Sequence, residues 1–156
     1  MKKILSFFLF SATIVITSCQ LSAQPVANNP KPRLNHIAIN VVDLKKSTDF
    51  YLQVIQLDTI PEPFHDGRHT WFAIGPLSHL HVIQGAKDYI AREKNNHLCF
   101  TVSSVADFIK ILDDHKIEYE NLPGEKMQVT KRVDGVYQIY FKDPDGYWIE
   151  INDARY

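Results

Sequence analysis

The sequence states one motif twice. Asn35-His36-Ile37-Ala38-Ile39-Asn40-Val41 returns as Asn96-His97-Leu98-Cys99-Phe100-Thr101-Val102. Both stretches alternate with a period of two, which is the pattern of a strand with one buried face. A helical pattern follows each. Asp43 stands as N-cap before a stripe of Leu44, Tyr51, Val54 and Ile55, and Ser104 with Asp107 forms a capping box before Val105, Phe108, Ile109 and Leu112. Strand-like runs then come at His69–Gly75 and Ser78–Gly85 in the first half, preceded by a weakly marked one at Leu57–Ile60. The second half has them at Met127–Val133, Val136–Asp143 and Gly146–Asp153. Asp134-Gly135 is a hairpin signal, and Asp143-Pro144-Asp145-Gly146 a turn. Each half therefore reads β-α-β-β-β. The fold class is α+β, with two tandem modules at about residues 33–85 and 95–156.

What precedes the repeat has the layout of a secretory signal, residues 1–23. Lys2 and Lys3 are followed by an apolar stretch from Ile4 to Ile16, too short for a transmembrane helix, and then by small and polar residues. Ile16-Thr17-Ser18-Cys19 resembles the lipobox of bacterial lipoproteins, in which lipidated Cys19 would attach the protein to a membrane. Leu21-Ser22-Ala23 offers ordinary signal cleavage instead. The expectation is an exported protein of a bacterium, either periplasmic or a membrane-anchored lipoprotein. Residues 24–32 form a polar, proline-bearing linker. The remainder, 33–156, has the size of one domain.

Two of the 17 basic residues are Lys2 and Lys3, so 15 remain beyond the signal against 18 acidic ones. No basic cluster survives, and nucleic acid is not an expected partner. Cys19 and Cys99 are the two cysteines. With Cys19 lipidated or removed, Cys99 has no disulfide partner in the chain, and its place in an alternating strand reads as small apolar packing.

Strand parity groups the chemistry. His36, Ala38 and Asn40 share a face, as do His97, Cys99 and Thr101. His79 and His81 oppose Leu80 and Val82, and Trp148, Glu150 and Asn152 oppose Ile149 and Ile151. Every strand turns an apolar face one way, onto a helix, and a polar face the other. Histidines and one glutamate facing one cavity make a metal-site composition. It suits Zn²⁺, Fe²⁺, Ni²⁺, Co²⁺ or Mn²⁺ without choosing among them. His65, His69 and His115 stand in turn-like or helix-end contexts and are expected to be solvated.

The module order, the two N-H-[IL]-x-[IF]-x-V openings and the closing "DPDGYWIEI" resemble the vicinal-oxygen-chelate superfamily of glyoxalase I, extradiol dioxygenases, fosfomycin-resistance enzymes and bleomycin-resistance proteins. The resemblance implies a curved, mostly antiparallel sheet around a shared cavity, with helices outside. It implies one divalent metal ion held by His36, His81, His97 and Glu150, which match the family's ligand strands. Glyoxalases usually carry Glu or Gln at the His81 place, where other branches supply no ligand. Glu150 is then also the catalytic base, and Tyr140 matches a substrate-orienting tyrosine of the dioxygenases. Asn40, Thr101 and Trp148 are candidate substrate contacts on the same faces.

The leading expectation is a glyoxalase-like (lactoylglutathione lyase-like) lyase or isomerase. Its small-molecule substrate would chelate the metal through adjacent oxygens. The alternatives are an Fe²⁺ extradiol-type ring-cleaving dioxygenase and a metal-free ligand-binding protein of the bleomycin-resistance kind. Family members complete the cavity within one chain or across a homodimer, and the sequence decides neither.

Overall fold

The computed structural model describes residues 31–155; the signal, Cys19 and most of the linker lie outside them. The first half runs β1 (His36–Val41), α1 (Leu44–Gln53), β2 (Thr59–Ile60), β3 (His69–Gly75) and β4 (Ser78–Gln84). The second runs β5 (His97–Thr101), α2 (Val105–Asp114), β6 (Thr130–Lys131), β7 (Tyr137–Lys142) and β8 (Trp148–Asn152). Each half is a four-stranded sheet, ordered β1-β4-β3-β2 and β5-β8-β7-β6. In each, the opening strand pairs parallel with the closing strand, and the other pairings are antiparallel. The α+β tandem of β-α-β-β-β modules is thus the fold.

The helices start where the caps predict. Asp43 accepts from the Lys46 amide at 3.0 Å, and Ser104 Oγ from the Asp107 amide at 3.1 Å. Ser47, Phe50 and Tyr51 are the buried side of α1; Val105, Phe108 and Leu112 are that of α2. The strand expected at Met127–Val133 is cut to Thr130–Lys131. Met127 has φ 55°. Just upstream, the Asn121 side chain accepts from the amides of Gly124 and Glu125, folding that segment into a turn instead of an extended run.

The two halves share one core. Val41, Tyr51, Phe72 and Leu80 from the first join Leu112, Ile139, Phe141 and Ile149 from the second, and Phe50 and Phe141 meet ring to ring at 6.3 Å. A polar clamp reinforces it. Asp145 accepts from Ser47 Oγ at 2.6 Å and from the Val42 amide at 2.7 Å, and Asp143 accepts from the Tyr51 hydroxyl at 2.8 Å. The Asp143 carboxylate also takes the amides of Asp145 and Tyr147. Burial pushes the Asp143 carboxyl up to about 6. Gly146 closes this turn at φ +84°, directly under the Tyr89 ring. Among the described residues no helix is long and apolar enough to cross a membrane.

Candidate metal centre

Strand register sets the two halves of the candidate site in parallel. In the first sheet His81 sits between Ala38 on β1 and Trp71 on β3. In the second, Glu150 sits between Cys99 on β5 and Tyr140 on β7. Ala38 and Cys99 each lie two residues past the histidine that heads their strand. His81 and Glu150 therefore occupy the same lattice point, as do His36 and His97, and so do Trp71 and Tyr140. A period-two side-chain pattern puts each of these trios on one face of its sheet.

In the second sheet the face is a closed hydrogen-bonded array. His97 Nε2 lies 3.1 Å from Glu150 Oε2, and the Tyr140 hydroxyl donates to the same oxygen at 2.8 Å. Asn152 Nδ2 donates to Glu150 Oε1 at 2.8 Å, and Gln138 Nε2 donates to the Tyr140 oxygen at 2.9 Å. The other His97 nitrogen, Nδ1, faces the Lys94 carbonyl at 2.8 Å. Burial by itself would push the Glu150 carboxyl up, but the Asn152 and Tyr140 bonds and the charge of His97 hold it below its usual value. Cys99 is exposed and does not pack as the small apolar side chain its strand position suggests. Partial burial of its thiol, with Glu150 nearby, pushes it up to about 12, so the thiol stays neutral.

In the first sheet the face is a stack. His81 lies between Trp71, centroids 3.8 Å apart and planes 2° from parallel, and His36, 4.2 Å apart and 7° from parallel. His36 is exposed, and its Nδ1 meets Asn35 Oδ1 at 2.7 Å. His81 is buried, and its Nε2 has no hydrogen-bond partner. Burial, then the neighbouring His36, His79 and His69, depress its basicity.

The four candidate ligands thus form two pairs, His36 with His81 and His97 with Glu150, on separate sheets. Among the described residues no three His, Cys, Asp or Glu side chains converge to hold an ion. In kind the donors fit a divalent metal, three imidazoles and one carboxylate, and the buried, unpartnered His81 nitrogen is a donor atom without a protein use.

Of the candidate substrate contacts, Asn40 and Thr101 are exposed on these faces, with Thr101 Oγ1 donating to the Ala154 carbonyl. Trp148 is buried, and its Nε1 donates to the Arg92 carbonyl. His65 is exposed, at 81%, and His115 is exposed too. His69 departs from its expected solvation. It opens β3, bonds Asp66 at 2.8 Å and packs on Phe64. Sequence reasoning missed Trp71, and although it put Asn152 on the Glu150 face it gave neither Asn152 nor Gln138 a role. Parity applied to "HTWFAIG" would have put Trp71 on the ligand face.

Tandem modules with histidine and glutamate at matched strand positions define a class, that of paired β-α-β-β-β proteins. Residues 33–151 match the Glyoxalase/Bleomycin resistance protein/Dioxygenase superfamily, and the chain belongs to it. A lactoylglutathione lyase of Pseudomonas putida is 26% identical over 149 residues, covering 75% of this chain and 82% of that protein. The metallothiol transferase FosB of Staphylococcus saprophyticus is 27% identical over 124 residues, covering 76% and 75%. Among solved structures, the fosfomycin resistance protein FosX of Listeria monocytogenes superposes with a TM-score of 0.65 at 23% identity, covering 81% of this chain and 96% of that one.

Proposed function

We propose that this protein is an exported, divalent-metal-dependent enzyme of the glyoxalase-like lyase or isomerase type. Its substrate would be a small molecule offering two adjacent oxygens. The observation that carries the reading is the shared register position of His81 and Glu150, each beside a strand headed by a histidine. His36, His81, His97 and Glu150 would hold the ion. Bound there, the ion supplies a Lewis acid to two neighbouring substrate oxygens. Glu150 is the general base, carrying a proton between adjacent carbons, and the Tyr140 hydroxyl steadies its Oε2. Neutral Cys99 and exposed Thr101 line the approach without charge.

The two pairs of ligands lie on separate sheets, and His36 and Asn40 face solvent, so a homodimer would complete the site, each cavity taking the first half of one chain and the second half of the other. The signal-like start supports export, with Cys19 or Ala23 setting the mature end. An α-hydroxycarbonyl free of glutathione fits that compartment better than a cytoplasmic thiol adduct.

A second reading is favoured by the Tyr140–Glu150 bond, which suits a ring-cleaving dioxygenase with His36, His97 and Glu150 on Fe²⁺. There His81 would be an acid–base group off the metal. Elemental analysis of the purified protein, repeated on His81→Ala, separates the readings. In the lyase reading the wild type carries about one ion per chain and His81→Ala loses it. In the dioxygenase reading His81→Ala keeps iron and loses rate. A wild type that takes up no metal leaves a ligand-binding protein and overturns both enzymes.

A further inference from the structure

Three of the four candidate ligands are oriented by hydrogen bonds at an atom away from the pair. His36 Nδ1 meets Asn35 Oδ1, His97 Nδ1 meets the Lys94 carbonyl, and Glu150 Oε1 takes the Asn152 amide. Such partners commonly hold a ligating ring in its working orientation. His81 has no such orienting partner among the described residues, and its buried Nε2 stays free for an ion. It also lacks a carboxylate's two-oxygen grip, although it occupies the position Glu150 holds in the other sheet.

What fixes the His81 ring is stacking. The Trp71 indole covers one face at 3.8 Å between centroids and 2° between planes, and His36 covers the other. Trp71 is His81's direct cross-strand neighbour, as Tyr140 is Glu150's. Phe64 meets the indole edge-on at 6.0 Å, and His79 lies against its plane at 6.3 Å. The indole is thereby held from two sides. Directly opposed aromatic pairs on a sheet attract one another across the strands.

We propose that Trp71 is the positioning residue of the first half-site, holding the His81 imidazole by ring stacking where the other ligands are held by hydrogen bonds. The proposal rests on the metal-dependent reading above. It assigns Trp71 no contact with the reacting atoms. It predicts that a flat aromatic ring at position 71 matters, and that apolar bulk does not suffice.

The test uses the full chain, freed of metal and titrated calorimetrically with Zn²⁺. Trp71→Leu should weaken Zn²⁺ binding about 10- to 100-fold, and Trp71→Phe should restore most of it. A structural role would follow melting temperature instead, with Leu and Phe differing little in affinity. A second readout needs no substitution at position 71. In a Trp148→Phe background, Trp71 is the sole tryptophan, since the chain has two. Its emission should change on Zn²⁺ addition, and the change should vanish when His81→Ala is added. Wild-type binding matched by Trp71→Leu, or Trp71 emission indifferent to bound Zn²⁺, overturns the proposal alone. A wild type that binds no Zn²⁺ overturns it together with the reading beneath it.

Discussion

The Tyr140 hydroxyl donates to Glu150 Oε2 across adjacent strands at 2.8 Å while its own oxygen accepts from Gln138 Nε2 at 2.9 Å. The Gln138 bond occupies the phenol from behind, so its single proton is directed at the carboxylate. Tyr140→Phe would remove both bonds and leave the buried Gln138 amide without this acceptor. The expected stability loss is about 1–3 kcal/mol. Zn²⁺ affinity should fall about tenfold or more. Chemical denaturation and calorimetric titration of the same preparation measure the two effects. An unchanged affinity would detach Tyr140 from the site.

If two chains complete each cavity, damaged chains can rescue one another. His36→Ala and Glu150→Gln homodimers should each lose metal at both sites. Mixed by refolding together, the two variants form heterodimers in which one cavity is doubly damaged and the other intact. Random pairing then restores about a quarter of the sites. Metal content measured after mixing should show that recovery; none would mean that the site is built within one chain.

Asp143 gives the fold a pH dependence. Burial raises its carboxyl from 3.8 to about 6, so the folded chain holds this proton more tightly than the unfolded one. That contribution to stability is complete below pH 3.8 and is lost as pH rises through about 6. It amounts to about 3 kcal/mol. Asp143→Asn should flatten the dependence across that window, which urea denaturation at a series of pH values would reveal. A variant whose stability keeps the wild-type slope would point to other groups.

Gly146→Ala should lower the melting temperature sharply. The residue holds φ +84°, and an added Cβ would stand 2.5 Å from the Tyr89 ring. Left-handed backbone costs a non-glycine residue about 1–3 kcal/mol, and the clash adds to that. Adding Tyr89→Ala should recover the clash but not the backbone share. Full recovery in the double variant would show that the ring contact alone forbids a side chain.

Much of the fold was legible because period-two runs and two capped helical stripes repeat in one order. Parity also put His36, His81, His97 and Glu150 on the polar faces of their strands, but it expected them around one cavity, where each sheet holds a separate pair. Local pattern could not reach pairings made between halves. Ser47 with Asp145 and Tyr51 with Asp143 join residues 98 and 92 positions apart, with no periodicity to announce them. Nor could it foresee that Met127 would turn the chain before β6, or that Trp71 would lie flat on His81. Alternation names the face a side chain points to, while stacking depends on which strand lies beside it.

The clamp between the halves bears on how far this repeat behaves as a repeat. In an array of stacked units each one touches its neighbours through like surfaces, and units can be added or removed. Here the second unit sends Asp143 and Asp145 into the helix of the first, and both units fill one core. A chain ended before β5 would leave the Ser47 and Tyr51 hydroxyls without those carboxylates and Phe50 without Phe141. The doubling visible in the sequence has become indivisible in the molecule, which should melt in a single cooperative step.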